Sequence, residues 1–292
     1  MRKTKPADIN TIRENNLSLV INIIREVGSI SRAELVRQTH LSATTISSLV
    51  SVLLDSGFVQ ESGIGESSGG RPPILLHFNY TFRHVLGVDM GATHIAAVAM
   101  DLQGHVIARE FCMFDVMSDP AGTTARIVDL VQQVMEKAKL NADAILGMGV
   151  AVPAPLEGEN LDQLSSVILP RWADHDLLAE IKPRHRFPIY LDNDANAGVI
   201  AEKWWGMGTE TANLAYIKLG TGVGCGLMVN NEIYRGDSGT AGEIGHTTIN
   251  PAGPPCRCGN QGCLESMVGI AAIVTESRER LSKNVPNWNP TT

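Results

Sequence analysis

The sequence predicts two fold classes in succession: a winged helix-turn-helix over residues 1–80 and an α/β domain over residues 81–292. Three observations support this prediction. The first eighty residues carry apolar side chains at helical spacing in three short segments, followed by two strand-like runs. From Val85 onward, strand-like runs alternate with glycine bends and longer helical segments, which is typical of α/β domains. Near the end of the second part, cysteine and histidine side chains cluster in one short loop.

The first two helices are defined by their ends. Residues 17–27 place apolar side chains at helical spacing, and Gly28 ends the run. Ser31 and Glu34 form a capping-box pattern, in which the serine accepts from the Glu34 amide and the glutamate reaches back. This pattern predicts a second helix that begins after Ser31 and ends near Gln38.

A third helix is predicted from Ser42, which can cap it, to about Asp55. Its apolar positions fall on one face, and small polar side chains lie off that face. A helix with a polar outer face at this place in a helix-turn-helix could enter a DNA major groove. The predicted DNA contacts of this helix are Ser42, Thr44, Thr45 and Ser47.

Two strands, at residues 58–61 and 74–78, follow the third helix and can pair as a hairpin. The loop between them ends in the sequence GGRPP, whose arginine is Arg71. Such a loop forms a wing, and an arginine framed by glycine and proline could enter a narrow minor groove. A three-helix protein-interaction module with a polar loop is the alternative interpretation. The wing and its arginine favour DNA as the partner.

The charge of the chain is unevenly distributed. The formal net charge is −7, yet residues 1–80 carry eight Lys or Arg and seven Asp or Glu. The acidic balance therefore belongs to the second part, which leaves the first part able to approach DNA. No run of about 18 apolar residues appears, so the sequence predicts no membrane span. The charged N-terminus is not followed by the apolar segment of a secretory signal, and we expect the protein to be cytoplasmic.

The second part contains two glycine bends, each between two predicted strands. The first bend carries Asp89, Gly91 and Thr93, and the second is the segment Gly220, Thr221 and Gly222. Neither has the lysine of a Walker motif, so neither is a P-loop. The backbone amides of each bend could still meet a phosphate. A further predicted strand ends with Asp192, Asn193 and Asp194, and a helix begins at this point.

The cysteine cluster indicates a zinc site. Three of the five cysteines lie within eight residues, in the pattern Cys-x-Cys-x4-Cys, ten residues after a histidine. Thiolates and a neutral imidazole are the ligands of structural zinc, and clustered cysteines in a cytoplasmic protein favour a metal over a disulfide. Three unrelated cysteines beside a buried histidine, or a disulfide, are the alternatives. The predicted ligands are His246, Cys256, Cys258 and Cys263.

The residues around the predicted ligands give the loop its shape. Gly259 and Gly262 would let the backbone fold back, so that the last cysteine faces the first two. Glu243 and Glu265 flank the cluster, and a metal that fixes the loop would also fix these carboxylates. Carboxylates held in this way can accept hydrogen bonds from the hydroxyl groups of a polyol. Without the metal, both would be interpreted as solvated surface acids.

Together, the two glycine bends, the Asp-Asn-Asp strand end and the sequences GEIGH and CRCGNQGCLE resemble the ROK family (repressors, open reading frames and sugar kinases). The resemblance covers about residues 85–275, and the CxCGxxGCxE motif is its most specific element. The preceding winged helix with its GGRPP loop resembles the repressor branch of that family. The resemblance implies an actin/hexokinase-like ATPase fold, with a sugar bound between two lobes beside the zinc loop.

The resemblance also implies roles for particular residues. The implied sugar contacts are Asn193, Asp194, Glu243, His246 and Glu265, and His246 would serve both zinc and sugar. The glycine bends match the two phosphate loops of the kinase members, with Asp89, Gly91, Thr93, Gly220, Thr221 and Gly222 as the matching positions. Asp194 matches the general base of the kinases.

The chain departs from the kinase pattern at the first phosphate loop. Kinase members usually carry DxGGTK there, whereas this chain has Ala92 and His94 in place of the second glycine and the lysine. Members of the family also continue beyond the length of this chain to complete the nucleotide lobe, so we expect an α/β domain that is incomplete at its C-terminus. Both departures predict a protein that neither uses ATP nor catalyses a reaction.

The sequence therefore predicts a sugar-responsive, DNA-binding transcriptional repressor of carbohydrate-utilisation genes, with structural zinc as its cofactor. Its partners would be operator DNA and a sugar or sugar phosphate effector, and it would bind DNA as a homodimer or higher homo-oligomer. The alternative from another class is a sugar kinase that carries a DNA-binding head, in which Asp194 would be the general base.

Overall fold

The structure is a computed structural model, and it describes residues 9–65, 72–158 and 162–285. The described residues divide into two compact units, with the boundary between Arg83 and His84.

The first unit packs three helices and a small sheet around one apolar core. The helices are α1 Ile9–Val27, α2 Arg32–Thr39 and α3 Ala43–Asp55. The strands are β1 Ile30–Ser31, β2 Val59–Ile64 and β3 Ile74–Phe78, and β3 pairs antiparallel with both others. The core side chains include Val20, Ile24, Leu35, Ile46, Leu49, Val50, Leu53 and Leu76. These include the apolar positions predicted for the third helix.

Serine caps begin the second and third helices. The Ser31 hydroxyl accepts from the Glu34 amide at 3.2 Å, and the Ser42 hydroxyl accepts from the Thr45 amide at 3.1 Å. The capping box is only half formed, because the Glu34 carboxylate accepts from Arg37 at 2.6 Å instead of reaching back. Arg37 supplies a charged donor one turn away, and a charged donor outcompetes a backbone amide.

Two features of the first unit differ from the sequence prediction. Helix α1 begins at Ile9 rather than at residue 17. Its first two turns carry mainly polar side chains, so they show no apolar period that could be detected. Strand β1 was not predicted, because two residues are too short to show an alternating pattern.

The second unit contains a five-stranded sheet of order β10-β7-β4-β5-β6, built from β4 His84–Met90, β5 His94–Asp101, β6 Val106–Met113, β7 Ile145–Val152 and β10 Ile189–Asn193. The strands β4, β7 and β10 are parallel, and β4, β5 and β6 form an antiparallel meander. The helix α4 Pro120–Ala138 packs on this sheet, and α5 Leu177–Ile181 packs on α4. A two-stranded hairpin lies nearby in the sequence, β8 Leu156–Glu157 and β9 Gln163–Leu164.

A second, smaller sheet follows along the chain. It consists of β11 Leu214–Leu219, β12 Val223–Val229 and β13 Glu232–Ile233, all antiparallel. The helix α6 Asp194–Trp205, which begins where β10 ends, packs on β11 and β12. Two helices close the described chain, α7 Leu264–Val268 and α8 Ile270–Asn284. Over the described ranges, no helix is long and apolar enough to cross a membrane.

Candidate functional site

The topology of the second unit brings several loops to one edge. Because β4, β7 and β10 are parallel, the loops that follow them leave the same edge of the sheet. The hairpin bend between β11 and β12 and the turn at Ile244–His246 face this edge, and a cleft of about 260 Å³ lies between them. The predicted sugar contacts Asn193, Asp194, Glu243, His246 and Glu265 all line this cleft.

The strand end at β10 places its three polar residues in different environments. Asn193 is the N-cap of α6, and its side-chain oxygen accepts from the Ala195 amide at 2.9 Å. Asp194 faces the cleft, and its Oδ2 lies 2.6 Å from the Lys218 ammonium. Asp192 is turned away from the cleft and forms a bidentate pair with Arg235, at 2.8 and 2.7 Å.

The first glycine bend is only partly in the cleft. Gly91 and Thr93 line it, whereas Asp89 borders a separate cavity on the sheet. The Asp89 carboxylate lies 3.1 Å from Nε2 of His94, and this imidazole lies against Gly91. The prediction grouped Asp89 with Gly91 and Thr93 as phosphate-loop positions, and in the structure Asp89 borders the other cavity with its carboxylate beside His94.

At the second glycine bend, Gly220, Thr221 and Gly222 all line the cleft. Beside them, Glu265 accepts a hydrogen bond from the Val223 amide at 2.9 Å. Arg257 donates to both oxygens of Glu265, at 2.8 and 3.2 Å. An amide that could have met a phosphate is therefore already bonded to an internal carboxylate, which is 8% exposed.

Glu243 and His246 lie on the cysteine-cluster side of the cleft. Oε2 of Glu243 is 3.8 Å from Nε2 of His246. Burial raises the pKa of Glu243, and the negative charges of Glu265 and Asp194 raise it further, while Arg257 acts in the opposite direction. Three carboxylates therefore lie close together in the cleft, and nearby cations offset part of their negative charge.

The predicted metal ligands converge on one point. The ligand atoms of His246, Cys256, Cys258 and Cys263 all lie within 4.8 Å of one another. Sγ of Cys258 and Sγ of Cys263 are 3.8 Å apart, and Sγ of Cys256 is 3.5 Å from Nδ1 of His246. In a tetrahedral zinc site with ordinary bond lengths, two sulfurs lie about 3.8 Å apart and a sulfur and a nitrogen about 3.5 Å apart. The four residues therefore fit a zinc ion.

Cys258 and Cys263 have opposite pKa shifts. Burial raises the pKa of Cys263 to about 11, and the neighbouring thiols add to the increase. Burial also acts to raise the pKa of Cys258, but hydrogen bonds from the Asn260 backbone and the neighbouring thiols outweigh it and lower that pKa. Several thiolates cannot share this space without repulsion, and a divalent cation removes that repulsion.

The loop carrying the cysteines folds back on itself twice. The Cys256 amide donates to the Asn260 carbonyl and the Gly262 amide to the Pro254 carbonyl, both at 2.8 Å. Gly259 and Gly262 have φ of 91° and 68°, a conformation that glycine adopts without strain. These bonds bring the third cysteine opposite the first two.

The predicted DNA contacts belong to the first unit. Ser42 precedes α3, and Thr44, Thr45 and Ser47 lie in its first two turns. Ser42, Thr44 and Ser47 are exposed, whereas Thr45 is half-buried. The Ser42 hydroxyl is within 2.8 Å of the hydroxyls of both threonines. Arg71 lies outside the described residues.

Sequence reasoning missed two cations of the cleft. Lys218 and Arg257 both line it, and each is paired with a carboxylate that was predicted to contact sugar. Arg257 stands between two predicted zinc ligands, and this position could have drawn attention to it. Lys218 is on a strand 24 residues from its partner, and no local pattern links the two.

Comparison with known proteins identifies the family. Residues 85–287 match the ROK family. The xylose repressor of Caldicellulosiruptor bescii is 33% identical over 274 residues, which cover 94% of this chain and 68% of the relative.

Two solved structures share the fold. A crystal structure of a ROK family transcriptional regulator, a homolog of the E. coli MLC protein, superimposes with a TM-score of 0.76 at 25% identity, covering 94% of this chain and 69% of that one. A ROK family glucokinase from Streptomyces griseus, in complex with glucose and AMPPNP, gives 0.62 at 27% identity, covering 69% and 62%. The second unit thus has the actin/hexokinase-like fold of these proteins. Its sequence and its structure agree that this chain belongs to the ROK family.

Proposed function

We propose that the protein is a sugar-responsive transcriptional repressor, which binds operator DNA through residues 1–80 and a sugar or sugar phosphate through residues 81–292. The observation that carries the proposal is the cleft, in which carboxylates converge beside a cluster of three thiols and an imidazole. The first unit of the same chain contains two consecutive short helices, α2 and α3, and this pair supports the proposed helix-turn-helix. The relative from C. bescii, which covers nearly all of this chain, is named a xylose repressor.

The metal of this proposal is a structural zinc ion. His246, through Nδ1, and the thiolates of Cys256, Cys258 and Cys263 would hold it. When bound, zinc would cross-link the loop and would take no part in chemistry on the sugar. Nε2 of the same imidazole is left facing Glu243, so the metal would fix a group that can contact sugar.

The sugar would bind among Asn193, Asp194, Glu243, His246 and Glu265. Ionised carboxylates accept hydrogen bonds from hydroxyl groups, and several acceptors on one wall suit a polyol. Xylose is the first candidate, because it is the sugar in the name of the C. bescii relative.

DNA would meet the first unit through the exposed start of α3 and through the wing. Ser42, Thr44, Thr45 and Ser47 would contact base edges in a major groove, and Arg71 would enter the minor groove. A homodimer would place two such units on half-sites about one helical turn, or a multiple of it, apart. Sugar binding would favour an arrangement that separates the units from their half-sites, which requires the sugar to prefer one conformation.

A ROK-type sugar kinase is the competing function. Asp194 in the general-base position and the likeness to a glucokinase with bound AMPPNP favour it. Ala92 and His94 at the first bend oppose it, as does the Glu265 carboxylate bonded at the second bend. We expect no ATP turnover above background with glucose, N-acetylglucosamine or xylose. Sugar-dependent ATP hydrolysis that is lost in Asp194→Asn would support the kinase instead.

The proposed effector is tested by isothermal titration calorimetry on zinc-loaded protein, with a panel that contains xylose, glucose, N-acetylglucosamine and their phosphates. We expect at least one member to bind with an affinity that Asp194→Asn weakens. Glu157→Gln is a matched control, because this acid lies outside the cleft. A panel without any binding would contradict the proposal.

A further inference from the structure

We propose that Lys218 is a ligand-binding residue of the cleft, whose ammonium donates a hydrogen bond to an oxygen of the bound sugar while it remains paired with Asp194. This inference rests on the proposed function, since it concerns how the same cleft selects its effector. It assigns a role to a residue that no motif identified.

The acids of the cleft cannot recognise a sugar alone. Ionised Asp194, Glu243 and Glu265 only accept hydrogen bonds, whereas each sugar hydroxyl both donates and accepts, and a ring oxygen only accepts. Asn193 adds at most one donor, because its side-chain oxygen accepts from two backbone amides and one of its two N–H groups donates to the Ala154 carbonyl at 3.3 Å. Nε2 of His246 can donate once Nδ1 binds zinc, and a sugar with several acceptor oxygens needs a further donor beside it.

Lys218 is placed to be that donor. It lies near the end of β11, two residues before the second glycine bend, and its side chain lines the cleft. An ammonium group has three N–H donors. Among the described residues it makes one hydrogen bond, to Oδ2 of Asp194 at 2.6 Å. The lysine side chain is 33% exposed and the aspartate side chain 14%, so the lysine is the more exposed member of the pair.

The pair also connects the two sheets of the second unit. Asp194 begins α6 at the end of the five-stranded sheet, and Lys218 belongs to the smaller sheet. With Oδ2 occupied by the ammonium, the pair presents Oδ1 as an acceptor beside remaining N–H donors. A donor next to an acceptor matches two neighbouring hydroxyl groups of a polyol. The class of ligand that follows is a sugar with free vicinal hydroxyls at this point.

The test uses calorimetry with the panel sugar that the wild-type protein binds and with each of its monodeoxy analogues. We expect wild-type affinity to fall about tenfold or more at one deoxy position, because a charged hydrogen bond is lost. Lys218→Met should bind the parent sugar about tenfold or more weakly than the wild type does. It should also bind the parent sugar and that one deoxy analogue with equal affinity. Lys182→Met, at an exposed lysine away from the cleft, should behave as wild type.

Several results would overturn the inference. One is unchanged affinity of Lys218→Met for the parent sugar. Another is an equal loss for the parent and every analogue, because that pattern indicates a purely structural role. Should Lys218→Met fail to fold, Lys218→Gln replaces it in the test, because glutamine keeps a donor. Its affinities for the parent sugar and for that deoxy analogue must then differ by less than they do in the wild type. If the wild-type protein binds no sugar, the proposed function and this inference both fail, whereas a sugar-binding wild type with an indifferent Lys218 refutes only the inference.

Discussion

At the residue scale, the conformation of two glycines decides whether the thiols can converge. Both Gly259 and Gly262 have positive φ, but their surroundings differ. A Cβ at Gly262 would lie 1.5 Å from the Asn250 carbonyl oxygen, whereas a Cβ at Gly259 would meet nothing within 4 Å. The two positions share a backbone conformation and differ in packing, so they form a matched pair.

Gly262→Ala should therefore be much more damaging than Gly259→Ala. The left-handed backbone costs an alanine about 1–2 kcal/mol at either site, and only Gly262→Ala adds a clash with backbone. Chemical denaturation and zinc content of the purified variants measure the difference. Equal losses at both positions would show that the packing against Asn250 does not matter.

His185 gives a prediction about pH. Burial lowers its pKa, and the neighbouring Arg184 charge lowers it further. Within the described chain, its Nε2 is buried without a hydrogen-bond partner. The unfolded chain therefore binds more protons than the folded chain as pH falls below about 6.5. The contribution of this neutral histidine to stability is complete above that pH and is lost as pH falls towards the lowered folded pKa.

We expect the free energy of unfolding to fall less between pH 7.5 and 5.5 in His185→Gln than in the wild type. Urea denaturation at the two pH values measures it, and the other titrating groups are common to both proteins. If the free energy of unfolding falls equally in the two proteins, the pKa of His185 does not differ between the folded and the unfolded chain.

At the scale of elements, local chemistry predicted where α2 and α3 begin, but it did not predict the start of α1 or the long-range pairs. The serine caps of α2 and α3 follow from side chains within three residues of the amides they bind. The glycine bends and the cysteine loop are equally local motifs, and residues of both line the same cleft. Pairs such as Lys218–Asp194 join residues that are distant in sequence, and only the fold reveals them. The contact between Asp89 and His94 joins the first and last positions of the first phosphate-loop motif, and the motif alone does not show that the two side chains meet.

The two serine caps allow a test of α3 as a DNA-binding element. Ser31→Ala and Ser42→Ala should each lower the free energy of unfolding by about 1 kcal/mol, because each removes an N-cap hydrogen bond. Only Ser42→Ala should also weaken operator binding, measured by fluorescence anisotropy at fixed salt. Equal operator affinity of the two variants would remove Ser42 from the DNA interface.

At the scale of the whole molecule, direct contacts connect the cysteine loop to the side chains that we propose bind sugar. Arg257 lies between two of the thiols and holds Glu265, whose Oε2 in turn accepts from the second glycine bend. His246 belongs to both the thiol cluster and the cleft. Loss of the metal should therefore change the affinity for the sugar.

Removing the metal should lower both thermal stability and sugar affinity. Zinc content near one ion per chain is expected for the wild type and for Cys112→Ser, whose thiol lies outside the cluster. Cys258→Ser should lose the ion and most of its sugar affinity. Elemental analysis of protein purified without chelator, followed by calorimetry, measures both. A zinc-free wild type, or a Cys258→Ser variant that binds sugar normally, would contradict the proposed site.

The central claim is that a sugar in the cleft of the second unit controls DNA binding by the first. Titration of labelled operator DNA with zinc-loaded protein, with and without the sugar that binds it, tests this claim most directly. We expect tight, sequence-specific binding that the sugar weakens about 5- to 150-fold, the usual range of coupling between two sites. Operator affinity that stays the same at saturating sugar would contradict it.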